Sequence, residues 1–111
     1  MRDYNFYVYL LTNYKKTVLY TGVTNNLEER ILDHYANRGK PESFTGRYNV
    51  FYLLYYEHYR YIDQAIAREK EIKGWTREKK EALIRLENPG FLFLNKQLFQ
   101  TWPPHVDNIN F

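Results

Sequence analysis

Cysteine is absent from this chain. That excludes disulfides and thiolate metal sites together, and it fits a reducing compartment, for which we expect the cytoplasm. Long apolar runs are missing too. None approaches the ~20 residues a membrane-spanning helix needs, so no membrane partner is expected. The opening stretch MRDYNFYVYLLTNYKK does not read as a signal peptide, because its charges crowd a short apolar run and no small-residue cleavage site follows. Internal repeats, low-complexity segments and linkers are also lacking. With 111 residues we expect one domain, 1–111, with a core at about 5–90 and a tail at 91–111. Such a chain can bury a core but stays marginally stable.

Charge is only mildly biased. A net charge of +3 and a pI near 9.0 suit an anionic partner no better than they suit an ordinary basic protein. Tyrosine is what the chain has in excess, with 12 copies. Its ring packs while its hydroxyl stays hydrogen-bonded, so it suits half-buried strands and wet grooves alike.

Residues 5–12 and 17–23 are rich in strand formers and flank the polar stretch Asn13-Tyr14-Lys15-Lys16, the pattern of an antiparallel hairpin. The first run is apolar on both alternations, which places it centrally in a sheet. A third strand is expected at 50–57. Asn26 followed three residues later by Glu29 resembles a capping box, and Leu27, Ile31 and Tyr35 line one face of the helix it opens. Gly39-Lys40-Pro41 should end that helix, leaving 39–49 as a surface loop. A second helix is expected over 62–73, with Gly74 as its C′ residue and Lys70 and Lys73 complementing its dipole. A third should run from the N-cap Thr76 to Glu87, where Asn88-Pro89-Gly90 stops it. The first half of the tail should pack on the domain and the last residues should fray. Strand, strand, helix, strand, helix, helix is an α+β order: a small three-stranded antiparallel sheet flanked by helices.

Ile62, Ala65, Ile66 and Ile72 define an apolar stripe on the second helix, and at about 100° per residue Glu69 falls inside it. A carboxylate turned inward is costly unless a cation or donor meets it. Two readings follow, an ion pair with an arginine at the core edge or a metal ligand in a cleft. A single carboxylate suits Mg²⁺, which keeps several waters. Arg30 and His34, four apart, share the side of the first helix that adjoins Leu27 and Ile31. The guanidinium fork suits phosphate, and an imidazole can donate to phosphate or carry a proton. Either residue would equally serve as an ordinary amphipathic border. Tyr7, Tyr9 and Tyr20 come from the hairpin, and Gly22 marks a bulge or a close backbone approach.

These residues carry a family pattern. Tyr7-Val8-Tyr9 resembles a GIY triplet and Tyr20-Thr21-Gly22 a YIG triplet. The stretch VLYTGVTNNLEERILDH places Arg30 and His34 downstream in the same manner, AIAREKEIKGW resembles the family's glutamate helix, and Leu86-Glu87-Asn88-Pro89 resembles the end of its last helix. Over about 5–90 the chain is similar to the GIY-YIG endonuclease superfamily, most of all to its small stand-alone bacterial branch.

The resemblance implies phosphodiester hydrolysis in DNA with one Mg²⁺ or Mn²⁺ ion held by Glu69, directed by structure rather than sequence, in repair or recombination. Arg30 would stabilise charge on the phosphoryl oxygens, and Tyr9 would act as general base once the metal or Arg30 lowers its phenol. Tyr20 and His34 would position water and phosphate, although the base is left open between Tyr9 and Tyr20. The functional asparagine is left open between Asn88 and Asn95. Tyr7 and the cations Arg68, Lys70, Lys73, Arg77, Lys79, Lys80 and Arg85 would flank the cleft and touch phosphates, or else form a solvated helix face laced with ion pairs. The alternatives are a non-catalytic or partner-dependent nucleic-acid-binding module of the same fold, and a plain protein-interaction domain. A protein partner or a second copy of the chain could supply specificity.

Overall fold

The computed structural model describes residues 4–104. The expected fraying at the extreme C-terminus falls outside them. Three antiparallel strands, β1 (Phe6–Thr12), β2 (Leu19–Thr24) and β3 (Tyr52–Tyr59), form one sheet in the order β2-β1-β3. β1 is therefore central, as its two-sided apolar sequence requires.

Helices cover both faces. On one, Val8 and Leu10 of β1 pack with Leu54 and Tyr55, with Ala65 and Ile72 of α3 (Ile62–Lys73), and with Ile84 of α4 (Arg77–Glu87). On the other, Tyr9 and Leu11 pack with Leu53, with Leu27 and Ile31 of α1 (Leu27–Ala36), and with Leu98 and Phe99 from α5 (Asn95–Phe99). Alternation along β1 thus supplies two cores from one strand. Each fully buried aliphatic side chain contributes roughly 1.5–3 kcal/mol.

β3 does not alternate, and the register explains why. Leu10 pairs with Tyr55 while Leu11 pairs with Leu53, so Leu54 is an extra residue in a bulge. The bulge lets Leu53, Leu54 and Tyr55 all be buried in succession. It also divides the two faces between them.

Three local expectations need correction. The segment 39–49 is not all loop, because Ser43 caps a one-turn helix, α2 (Phe44–Arg47), accepting from the Gly46 N–H at 3.0 Å. The buried side of α3 is Ala65, Glu69 and Ile72, whereas Ile62 and Ile66 are 53% and 36% exposed. The apolar stripe is thus rotated, and Glu69 lies at its edge beside the exposed isoleucines. Gly74 ends α3 from the right-handed region (φ −80°, ψ −6°) and not as a left-handed cap, its N–H returning to Lys70 and Glu71 carbonyls.

Candidate active site

Tyr9 stands at the middle of the central strand, 1% exposed. Its cross-strand partner on β2 is Gly22, and its phenol lies over that glycine. A Cβ at position 22 would fall within the Tyr9 ring and hydroxyl, so the absent side chain is what lets the ring reach across to the neighbouring strand. Tyr20 lies on the same face of β2, half-buried, with its ring 6.3 Å from that of Tyr9.

α1 brings the next two groups. The Asn26 side chain accepts from the Glu29 N–H at 3.1 Å, which fixes the first turn. Leu27 and Ile31 are then buried, and that phase turns His34 inward while leaving Arg30 exposed. His34 Nε2 lies 3.1 Å from the Tyr9 hydroxyl and Nδ1 lies 3.0 Å from Thr45 Oγ1. Burial, reinforced by the Arg30 charge, takes the imidazole down to about 4. His34 is therefore neutral at physiological pH, with one ring nitrogen a donor and the other an acceptor.

Tyr9, His34 and Thr45 thus form a continuous hydrogen-bonded chain, and the Arg30 guanidinium acts on its phenol. Burial pushes the Tyr9 phenol up to about 12, with Tyr20 and Glu69 adding to the rise and Arg30 opposing it. Of the two expected causes of a lowered phenol, Arg30 alone does not suffice, since desolvation at 1% exposure outweighs it.

Glu69 reaches the cluster from α3. It is 8% exposed, and its Oε2 meets Lys73 Nζ at 2.6 Å, one turn further on. The expected arginine partner is therefore a lysine of the same helix. The pair is coupled to the phenols: the Glu69 charge acts on Tyr9, and Tyr20 acts on Lys73. The donor chemistry fits a hard divalent cation. Glu69 offers a nearly buried carboxylate oxygen already occupied by a cationic head, and the Lys73 side chain is 52% exposed and free to swing into water. Among the described residues no three His, Cys, Asp or Glu converge on one point. Mg²⁺ or Mn²⁺ held through one carboxylate would keep most of its waters.

Other expected residues lie elsewhere. Asn88 donates to the Leu54 and Leu92 carbonyls and accepts from the Leu92 N–H, while Asn95 accepts from Leu53 N–H and donates to the Phe51 carbonyl. Both tie the C-terminal segment to β3 and to Phe51 just before it, in bonds that do not involve Tyr9, Tyr20 or His34. Arg68 is bidentate on Glu57, bonded to Glu71 and placed over Trp75. Arg77 holds Glu81 and the Lys16 and Thr17 carbonyls. Lys79 lies over Trp75, and Arg85 lies over Phe91 and donates to the Pro89 carbonyl. Lys70 is exposed on α3 and Lys80 half-buried on α4. Tyr7 packs edge-on with Tyr56 and beside His58 at the open end of the sheet. Two neighbours of the site have no signal in the sequence: Thr45, which holds His34, and Phe44, stacked on Tyr20 at 6.3 Å.

Comparison with known proteins agrees with this geometry. The model of the GIY-YIG catalytic domain matches residues 5–82. A UPF0213 protein of Haloquadratum walsbyi is 37% identical over 83 residues, covering 75% of this chain and 89% of that protein. A UPF0213 protein of Staphylococcus haemolyticus is 38% identical over 78 residues, covering 70% and 92%. The solution NMR structure of a UPF0213 protein from Bacillus halodurans aligns with a TM-score of 0.50 at 32% identity, covering 78% of this chain and 89% of that one. The chain belongs to the GIY-YIG family, a nuclease-type family, and groups there with the small UPF0213 proteins.

Proposed function

We propose that this protein is a divalent-metal-dependent endonuclease that hydrolyses phosphodiester bonds in DNA. Its targets are recognised by structure rather than by sequence, and its work lies in repair or recombination. The observation that carries the reading is the hydrogen-bonded chain Tyr9–His34–Thr45, with the Arg30 guanidinium and a nearly buried Glu69 both acting on its phenol.

The chain's own groups divide the work as follows. Arg30 is exposed enough to bind a phosphoryl oxygen and to stabilise the charge that grows there. Tyr9, with its phenol near 12, is protonated at neutral pH and acts as a relay rather than as a standing base. As the attacking water gives a proton to the Tyr9 oxygen, the phenol proton passes to His34 Nε2. That nitrogen is available because burial keeps the imidazole neutral. Thr45, bonded to Nδ1, orients the ring, and the relay uses the tautomer with its proton on Nδ1. Tyr20, at the mouth of the site, orients water and phosphate. Glu69 would hold Mg²⁺ or Mn²⁺, and the bound ion would polarise the scissile phosphate and steady the leaving oxygen. Lys70 and Lys80 would add backbone contacts that weaken with salt.

The test is a panel of supercoiled, linear duplex and branched DNA incubated with and without Mg²⁺ or Mn²⁺. Metal-dependent nicking, strongest on one structured substrate and indifferent to its sequence, is expected. Absence of cleavage on every substrate with either metal would refute the reading.

A further inference from the structure

The rings at the catalytic cluster do not end at Tyr20. Tyr9 contacts Tyr20, Tyr20 stacks on Phe44 at 6.3 Å with the planes 24° apart, and Phe44 meets Tyr48 at 5.0 Å. The series runs outward from a ring 1% exposed to two that are 47% and 43% exposed. Phe44 and Tyr48 belong to α2, and that turn is firmly mounted. Its Thr45 holds His34, the Val50 N–H returns to the Thr45 carbonyl at 2.8 Å, and the Gly39 N–H meets the Gly46 carbonyl at 2.8 Å. A Cβ on Gly46 would collide with the Lys40 and Asn37 carbonyl oxygens. An exposed phenylalanine ring is thus held in place beside the site rather than left to fold back into the core.

The surrounding charge is selective. On α3 and α4, Arg68, Lys73 and Arg77 are each matched by a glutamate. Around α2 the cations rest on neutral acceptors: Arg38 on the Tyr35 carbonyl, Lys40 on Asn37 Oδ1 and Arg47 on the Pro41 carbonyl. Glu42 is the one acidic residue of the segment 37–49. A cleft of about 700 Å³, lined by Arg30 and Lys40, by Asp33 and Glu42, and by His34 and Thr45 among others, lies beside the α2 turn. Exposed aromatic faces on a segment where three cations outnumber one carboxylate suit a polyanion with flat apolar groups of its own.

The geometry points to Phe44 and Tyr48 as a stacking platform for unpaired DNA bases flanking the scissile phosphate, with Arg38, Lys40 and Arg47 following the strand. This rests on the nuclease reading for its location and narrows the substrate to DNA with a single-stranded segment at the cut. A base inside a duplex keeps both faces on its neighbours and cannot use such a platform, whereas every unpaired base has a face to offer.

The test is fluorescence anisotropy without divalent metal, using the full chain, a short labelled deoxyadenosine strand and a blunt duplex of equal length. We expect the wild type to prefer the single strand. Phe44→Ala should lower the ratio of single-strand to duplex affinity at least about fivefold, and Phe44→Trp should restore it, with folding of each variant checked by circular dichroism. Equal affinity of the wild type for both DNAs, or an unchanged ratio in Phe44→Ala, would overturn the platform even if the protein cuts duplex DNA. Self-association that vanishes in Phe44→Ala while single-strand affinity persists would assign the face to a protein contact and overturn it as well. A Phe44-dependent preference for single strands in a protein that cuts nothing would uphold the platform while the nuclease reading fails.

Discussion

His34 is bonded to the Tyr9 hydroxyl and Arg30 acts on it from α1, and the balance between them and burial sets the chemistry. Burial drives the phenol up to about 12 while Arg30 pulls it down. Because Arg30 also faces solvent, it is the group that can meet a phosphate beside the phenol. Arg30→Ala should therefore slow cleavage by at least ~10²-fold, in line with losing one oxyanion-type donor, as single-turnover rates at saturating metal will show. Lys73 competes with a metal for Glu69 through its 2.6 Å contact. Lys73→Met should lower the Mn²⁺ concentration needed for half-maximal nicking, and a higher requirement would mean that the lysine assists the ion. His34 supplies a pH dependence. Its folded value near 4 lies below the ordinary 6.5, so the unfolded chain binds a proton that the folded protein does not as pH falls from 6.5 toward 4. Stability present above pH 6.5 is thus lost on acidification, by roughly 3 kcal/mol at most. Urea unfolding at pH 7 and pH 4.5 should show a smaller loss in His34→Gln than in the wild type.

Among the elements, β3 and the segment after α4 depend on each other. Asn95, 1% exposed, satisfies the Leu53 N–H and the Phe51 carbonyl, and Asn88 does the same for Leu54 and Leu92. Without them the Leu53 N–H and the Phe51 and Leu54 carbonyls would be buried and lack these partners. Asn95→Ala should cost about 2–3 kcal/mol in chemical denaturation while leaving the rate per folded molecule unchanged. A lost rate with intact stability would return Asn95 to the catalytic set. On the opposite face, burial raises Glu57, but donation from Arg68, Tyr55 and Tyr59 outweighs it and holds the carboxyl below its ordinary value. That network occupies Arg68, and Lys73 and Arg77 are likewise paired with glutamates. Element boundaries were legible where capping chemistry is local: Asn26, Thr76 and the strand of two-sided apolarity all sit as expected. The bulge at Leu54, the turn at Phe44 and the rotated stripe of α3 were not, because each is decided by tertiary partners in other segments.

For the molecule as a whole, one strand supports two cores, and the site forms at the sheet edge where helices from both faces meet β2. Tyr9, Tyr20, Arg30 and His34 were legible as a set through the family resemblance, and hairpin parity and helical spacing are what bring them together from nearby segments. Glu69 was legible as an inward carboxylate, but not its lysine partner. Thr45 and Phe44 were invisible, since neither periodicity nor composition links position 45 to a histidine eleven residues earlier. The decisive measurement is plasmid nicking by Glu69→Gln across a Mg²⁺ and Mn²⁺ titration, with DNA binding followed in parallel. We expect metal-dependent cleavage to disappear while the fold and DNA affinity persist. A variant that cuts as fast as the wild type at the same metal concentrations would contradict the role of this carboxylate, and with it the catalytic site.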